Sequence, residues 1–340
     1  MTTTYEKVRP RVGYWDLAKG IAILLCVVGH QPNLPLPLRR IIFTFHMPLF
    51  FIANAYFISR YDVLYYAKRS ARSLLLPYTT VCLVSTAFEM SRSRVEDIFP
   101  VFKQGMVDML AGMSKISGIF TQFRSVWLVW FVICLFFARL LYIAAMSYLK
   151  RFPVFISLAV MIAFSVMGVF IGTHVAFLPW SLDVALASMV FMWVGDQMHK
   201  SQVIETVLPS IWLSVCGLLW VVLTALGYQI ELATRSYPGY GLSFLCAIAG
   251  SMTVVSVSMF IEKIPFLSSF LIWCGRHSMV ILSLHCLEMR FIRWNMPFPS
   301  AITESWLLSC AIKLLIILSV AWCLVLFLQS IPFYSKREAT

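Results

Sequence analysis

Long apolar tracts recur through this chain, and they decide what it can fold into before any motif is considered. About 18 predominantly apolar residues suffice to cross the hydrocarbon core of a bilayer as a helix. Ten such stretches can be marked, at 15–31, 41–58, 72–91, 126–147, 153–172, 180–198, 209–229, 240–261, 268–287 and 305–330. Of the 340 residues, 60% are hydrophobic and 12% are charged. A soluble domain carries about 25% charge. The alternating pattern of an outer-membrane barrel is absent. The reading is an all-α, polytopic integral membrane protein of about ten transmembrane helices, forming a single domain over 1–340, without repeats or low-complexity segments.

The net charge of +12 does not argue for nucleic acid, because most Lys and Arg fall between apolar tracts, where topology needs them. An even number of spans puts both termini on one side. That side carries Lys7, Arg9, Arg11, Arg60, Lys68, Arg69, Arg72, Lys150, Arg151, Lys200, Lys263, Lys336 and Arg337, against Arg39, Arg40, Arg235, Arg290 and Arg293 opposite. The positive-inside bias therefore places both termini in the cytoplasm. The long loop 92–125, with its own five cations, pulls the other way. Its stretch from Ile98 to Phe120 mixes apolar residues with Lys103, Asp108 and Lys115, which suggests an amphipathic helix on the outer surface. The nine cysteines lie in or beside apolar tracts and form no CxxC pair, so they read as small buried residues rather than disulfides or metal ligands. No cleavable signal is apparent, and the first span reads as an uncleaved anchor.

That first span, WDLAKGIAILLCVVGH, carries Lys19 and His30 eleven residues apart. At 1.5 Å per residue the separation is roughly 16 Å, and about three turns bring both to one face. Ionisable groups inside a membrane helix are functional candidates because each is costly to insert. With the termini inside, Lys19 lies near the cytoplasmic face and His30 near the outer end. His46, His285 and Glu288 are expected at the same outer level, and Arg69, Arg72 and Arg276 near Lys19. Asp16, one turn from Lys19, can fix its ammonium. A cationic inner mouth suits an anionic ligand, and a histidine in a partly dry cavity can act as general base. The pattern fits a phosphate-headed, thin, reactive-tailed donor such as an acyl-coenzyme A. It equally allows a transporter with an anion gate.

The runs DLAKGIAILLCVVGH, FHMPLFF and KRSARSLLLPY together resemble the integral-membrane acyltransferase family 3. Lys19 and His30 match its basic residue and histidine in the first helix, and Arg69 and Arg72 match its Arg-x-x-Arg. More loosely, Trp127 to Phe131, Leu178 to Ser181 and Gly275 to His285 also fit, the last being similar to the fucose O-acetylase branch. Where the family usually continues with Ser-Gly-Tyr, this chain has Asn54-Ala55-Tyr56, which bears on acceptor preference.

The resemblance implies O-acetylation of a surface or lipid-linked glycan from cytoplasmic acetyl-CoA, at a bacterial cytoplasmic (inner) membrane. Under it Lys19, Arg69 and Arg72 hold the coenzyme phosphates, and His30 is the base. His46 and Asp16 support the chemistry, while Asn54, His285 and Glu288 face the acceptor. Membrane lipid is the surrounding partner, a homo-oligomer is compatible with it, and no metal or nucleic acid is expected. Plainer roles stand beside these. Lys19 can snorkel to the membrane edge, and Arg69 and Arg72 can be topological markers. His46 can bond a neighbouring carbonyl. Asp183 can be a solvated helix end or accept sugar hydroxyls, and Trp180 can anchor at the interface or stack on a sugar. Arg139 and Lys313, inside spans, need a partner or a wet cavity. The other classes of function are a secondary transporter and a non-catalytic member of a glycan-assembly complex.

Overall fold

The computed structural model describes residues 12–115, 119–202, 209–292 and 305–330. The basic head (Lys7, Arg9, Arg11), the tail (Lys336, Arg337) and Arg293 lie outside the described residues. So do 116–118 of the suggested surface helix and 203–208. Among the described residues the chain is helical, and the one β pairing is an isolated bridge between Glu231 and Ser236.

Helix α1 spans Gly13–Gly29 and α2 spans Leu36–Tyr56. Helix α3, Val63–Ser91, contains a π-turn at Ala71–Leu75. The loop helix α4 covers Ile98–Ala111 and stops where Gly112 turns left-handed, φ 58°. It is therefore shorter than the stretch to Phe120, because only a glycine takes that conformation at little cost. Helix α5, Trp127–Leu149, opens with a 3₁₀ turn over Trp127–Val129. Helix α6 is Val154–Val175. The expected span 180–198 is two pieces, α7 (Leu182–Ala187) and α8 (Met189–Ser201). They part at Ser188, whose hydroxyl donates to the Val184 carbonyl at 2.8 Å, a back-bond that bends helices. Helices α9 (Pro209–Ala225) and α10 (Gly241–Ile261) follow. The expected span 268–287 is also two helices, α11 (Pro265–Arg276) and α12 (Ser278–Phe291), bent by 69° across His277. Helix α13 is Trp306–Ser330.

Every expected span thus coincides with helix, but six of these helices, or seven if the bent pair counts as one, are long and apolar enough to cross a bilayer unaided. The shortfall has physical causes. Helix α1 is 17 residues long and carries Asp16 and Lys19, α9 is 17 residues long among the described residues, and α7–α8 is interrupted.

In lipid, burial of apolar surface drives little helix association, so close packing and internal polar bonds must hold the bundle. The contact of α1 with α11 shows the first. A Cβ on Gly20 would strike the Leu271 carbonyl, and one on Gly275 would strike the Asp16 carbonyl and the Gly20 amide. The two backbones therefore touch, which sets Arg276 beside Asp16 and starts α12 at a fixed height along α1. All nine cysteines are free, and all but Cys323 are buried.

Candidate active site

One cavity of about 400 Å³ runs along α1. Lys19, Cys26 and His30 line it from α1, Arg39, His46 and Asn54 from α2, and Trp130 and Arg139 from α5. Ser278 and Met279 of α12 and Glu231 and Ala233 of the α9–α10 loop complete the polar and small lining. Between its ends the wall is apolar, with Ile23, Phe50, Leu135 and Leu282.

At the basic end, the Asp16 carboxylate is buried and lies 2.7 Å from the Lys19 Nζ and 3.4 Å from the Arg276 Nε. One buried carboxylate thus holds two cations, one of them on the cavity wall. Arg139 is the second cavity cation. Its Nε donates to the Asn54 Oδ1 at 2.6 Å and its Nη1 to the Ser70 Oγ at 2.9 Å. This accounts for a charge inside a span, and it explains Asn54: an amide oxygen is a good acceptor for a guanidinium, leaving its amide N–H groups for the cavity. Arg69 and Arg72 are exposed and do not line the cavity. The Arg69 Nη1 donates to the Tyr65 hydroxyl at 2.7 Å. They lie beside Ser70 in sequence, the residue that Arg139 touches.

At the other end three imidazoles gather, and their neighbours fix their tautomers. The His30 Nδ1 lies 2.7 Å from the Cys26 carbonyl, and the His46 Nδ1 lies 2.9 Å from the Ile42 carbonyl. A carbonyl oxygen only accepts, so each neutral ring carries its proton on Nδ1 and offers a lone pair on Nε2. His285 is held likewise, its Nδ1 donating to the Glu288 Oε2 at 3.0 Å, and the Glu288 Oε1 lies 3.5 Å from the Lys313 Nζ. All three of these side chains are buried. The His285 ring is 5.5 Å from that of His30, and Phe43 stands between His30 (5.8 Å) and His46 (4.9 Å). His285 and Glu288 do not line the cavity; His285 packs against the His30 ring instead. Lys313 has found its partner in Glu288.

The loop between α9 and α10 closes the imidazole end. Arg235, in the left-handed region at φ 55°, forks onto Asp183 through Nε (2.6 Å) and Nη2 (3.0 Å). It also donates to the Ala233 carbonyl at 2.9 Å and to the Ser114 hydroxyl, and it faces the Phe177 ring at 4.1 Å. The pair is 1% and 0% exposed. Asp183 is therefore neither a solvated end nor free to accept sugar hydroxyls; it pins the loop that sets Glu231 on the cavity wall. Trp180 is likewise engaged, stacked on Phe137 at 4.8 Å with its N–H donated to the Leu110 carbonyl. Trp130 is buried in the cavity wall.

Of the residues singled out in the sequence, Lys19, His30, His46 and Asn54 line one cavity and Asp16 stands behind Lys19, but Asn54, expected with His285 and Glu288, lies instead at the basic end on Arg139. Sequence reasoning singled out Arg139 and Lys313 by their charge within spans but not their partners. It did not single out Glu231, a loop carboxylate whose only signal was its nearness to the short Glu231–Ser236 bridge.

The protein is thus polytopic and helical, with one cavity lined by Lys19 and Arg139 toward one end and by His30 and His46 toward the other. The chain matches the family model described as "Acyltransferase domain", that of acyltransferase family 3, over residues 12–328. The protein belongs to that family and is a membrane acyltransferase. No curated protein and no solved structure matches the chain.

Proposed function

We propose that this protein moves an acetyl group from cytoplasmic acetyl-CoA to a hydroxyl of a surface or lipid-linked glycan, with His30 as general base. The observation that carries the reading is a single cavity lined by both Lys19 and His30. Its volume is in the range of small-ligand sites, and its apolar lining suits a pantetheine arm. The nucleotide phosphates then stay at the rim with Lys19, Arg139, Arg69 and Arg72, where guanidinium forks suit phosphate oxygens.

The chemistry follows from the tautomers. His30 Nε2 takes the proton of the acceptor hydroxyl as its oxygen attacks the thioester carbonyl. The tetrahedral centre collapses, the C–S bond breaks, and the coenzyme thiolate leaves and is reprotonated by the imidazolium. The Cys26 carbonyl holds the His30 ring in place throughout, and His285, backed by Glu288 and Lys313, lies beside the imidazolium as it forms. Glu231, Arg39 and His46 face the acceptor. In this reading both termini are cytoplasmic, the ten helical segments span or line the inner membrane, and the Gly275, Ser278 and His285 spacing favours the fucose O-acetylase-like branch.

The test is acetyl transfer by the purified chain in lipid nanodiscs, followed as free thiol released from acetyl-CoA with glycan acceptor present. His30→Ala, shown to fold by gel filtration and thermal melting, should lose turnover. Near-normal turnover would remove His30 from the chemistry, and failure of the wild-type chain to consume acetyl-CoA would overturn the donor.

A further inference from the structure

A second cleft, of about 430 Å³, lies on the far side of the cavity wall. It is bounded by α3 (Val81 to Glu89), α4 (Gly105 to Met109), residues 124–129 and Arg290 at the end of α12. The two spaces share one turn. Leu128 and Trp130 face the reaction cavity, while Trp127 lines the cleft.

The cleft has a particular chemistry. Asp108 is locked by three donors: the Arg124 Nε, the Arg124 backbone amide and the Gln104 Nε2, each at 2.8 Å. Arg124 continues to Glu89 at 3.7 Å, Glu89 pairs with Arg290, and the Arg290 guanidinium stands 5.2 Å from the Trp127 ring. Acid and base thus alternate along the wall and end on an indole. Two carboxylates cancel two guanidiniums, so the cleft has no fixed charge to attract an anion or a cation. What remains is fixed planar groups with spare donors and acceptors, Arg124 being 47% exposed, beside an aromatic face.

Trp127 adds an independent sign. It is 41% exposed and its backbone is left-handed at φ 57°, an uncommon conformation for a bulky residue. Trp180, the other exposed left-handed tryptophan, is covered by Phe137 and bonded through its N–H. The Trp127 indole has no such hydrogen-bonded anchor, only the guanidinium beside it.

We propose that this cleft is a docking subsite for a neutral, hydroxyl-rich oligosaccharide, holding sugar units remote from the one that enters the reaction cavity, with Trp127 as the stacking platform. The ligand class rests on the glycan acceptor proposed above; the site itself rests on the cleft.

The test is direct binding, which needs no turnover. Oligosaccharides released from the surface glycans of the producing organism are end-labelled, separated into neutral and anionic pools, and passed over the immobilised full chain in detergent. The neutral pool should be retained equally by wild type and His30→Ala. Retention should weaken about tenfold, a loss of one well-placed contact, in Trp127→Gly and Arg124→Ala. Glycine suits the left-handed backbone, so Trp127→Gly is expected to fold as well as wild type, and Trp127→Tyr should restore most of the binding. Equal retention by Trp127→Gly, preference for the anionic pool, or no retention of either pool would overturn the subsite. Loss of turnover in His30→Ala with unchanged binding leaves the acyl-transfer reading standing whichever way the cleft result falls.

Discussion

The edge of the His285 ring meets His30 at 64° with centroids 5.5 Å apart, and the His285 Nε2 is buried without a hydrogen-bond partner among the described residues. Its Nδ1 is tied through Glu288 to Lys313. A buried imidazole so held is stiff, and in the reading proposed above it acts as a positioning residue packed against the His30 ring. His30→Ala should reduce kcat by about 10²–10⁴-fold, the usual worth of a general base. His285→Ala should cost less, about tenfold, with the KM for acetyl-CoA unchanged, because it acts through another ring. Steady-state thiol release in nanodiscs separates the two; a raised donor KM in His285→Ala would place it in the donor site instead.

Arg139 should govern donor affinity. Arg139→Lys keeps the charge but cannot bridge Asn54 and Ser70 together, since a guanidinium fork is not reproduced by an ammonium. The KM for acetyl-CoA should rise about tenfold, the equivalent of about 1.4 kcal/mol, with the acceptor KM unchanged. The double variant Arg69→Ala, Arg72→Ala should act in the same direction. An effect confined to the acceptor would contradict the assignment of the basic end.

The Arg235–Asp183 pair predicts an asymmetry in stability. Asp183→Asn leaves a buried guanidinium without its countercharge and should destabilise by about 3–5 kcal/mol, whereas replacing both partners with apolar residues should recover much of that loss. Thermal melting in detergent measures it. A single variant that melts as wild type would show the pair to be dispensable. The double variant should still lose acceptor affinity, because the loop that carries Glu231 is no longer pinned.

Gly275→Val should prevent assembly rather than tune activity. Its side chain would meet the Asp16 carbonyl and the Gly20 amide, in a contact that has no room to yield. Gel filtration of the detergent-solubilised variant should show aggregate; a monodisperse, active variant would refute the backbone contact.

Much of this was legible in the sequence because hydrophobic period and charge placement are local signals. The apolar tracts marked the helices, and the Lys19–His30 spacing marked the cavity axis. What escaped was long-range. Nothing near Arg139 names Asn54, 85 residues earlier, and nothing near Asp183 shows that Arg235 will bury it. The break at Ser188 was hidden because it lies in apolar sequence, where hydropathy stays high, whereas the break at His277 falls in the polar run Gly275 to Ser278, which sits inside a tract apolar enough on average to be counted as one span. Glu288 and His285 were seen as neighbours three residues apart, but only the fold of α12 against α1 shows that His285 packs on His30 and that neither lines the cavity.

The backbone contact between Gly20 and Gly275 fixes the register of α1 on α11, so for a donor docked as proposed the cavity is a ruler of fixed length. The stretch from ammonium to imidazole is graduated by helical rise, with both helices fastened at the same notch, so neither can slide to admit a longer coenzyme arm. For a donor docked as proposed, variety in the transferred group must be accommodated past His30, in the space bounded by Arg39 and Glu231. Homologues that carry bulkier acyl groups should therefore differ in the α9–α10 loop and keep both glycines.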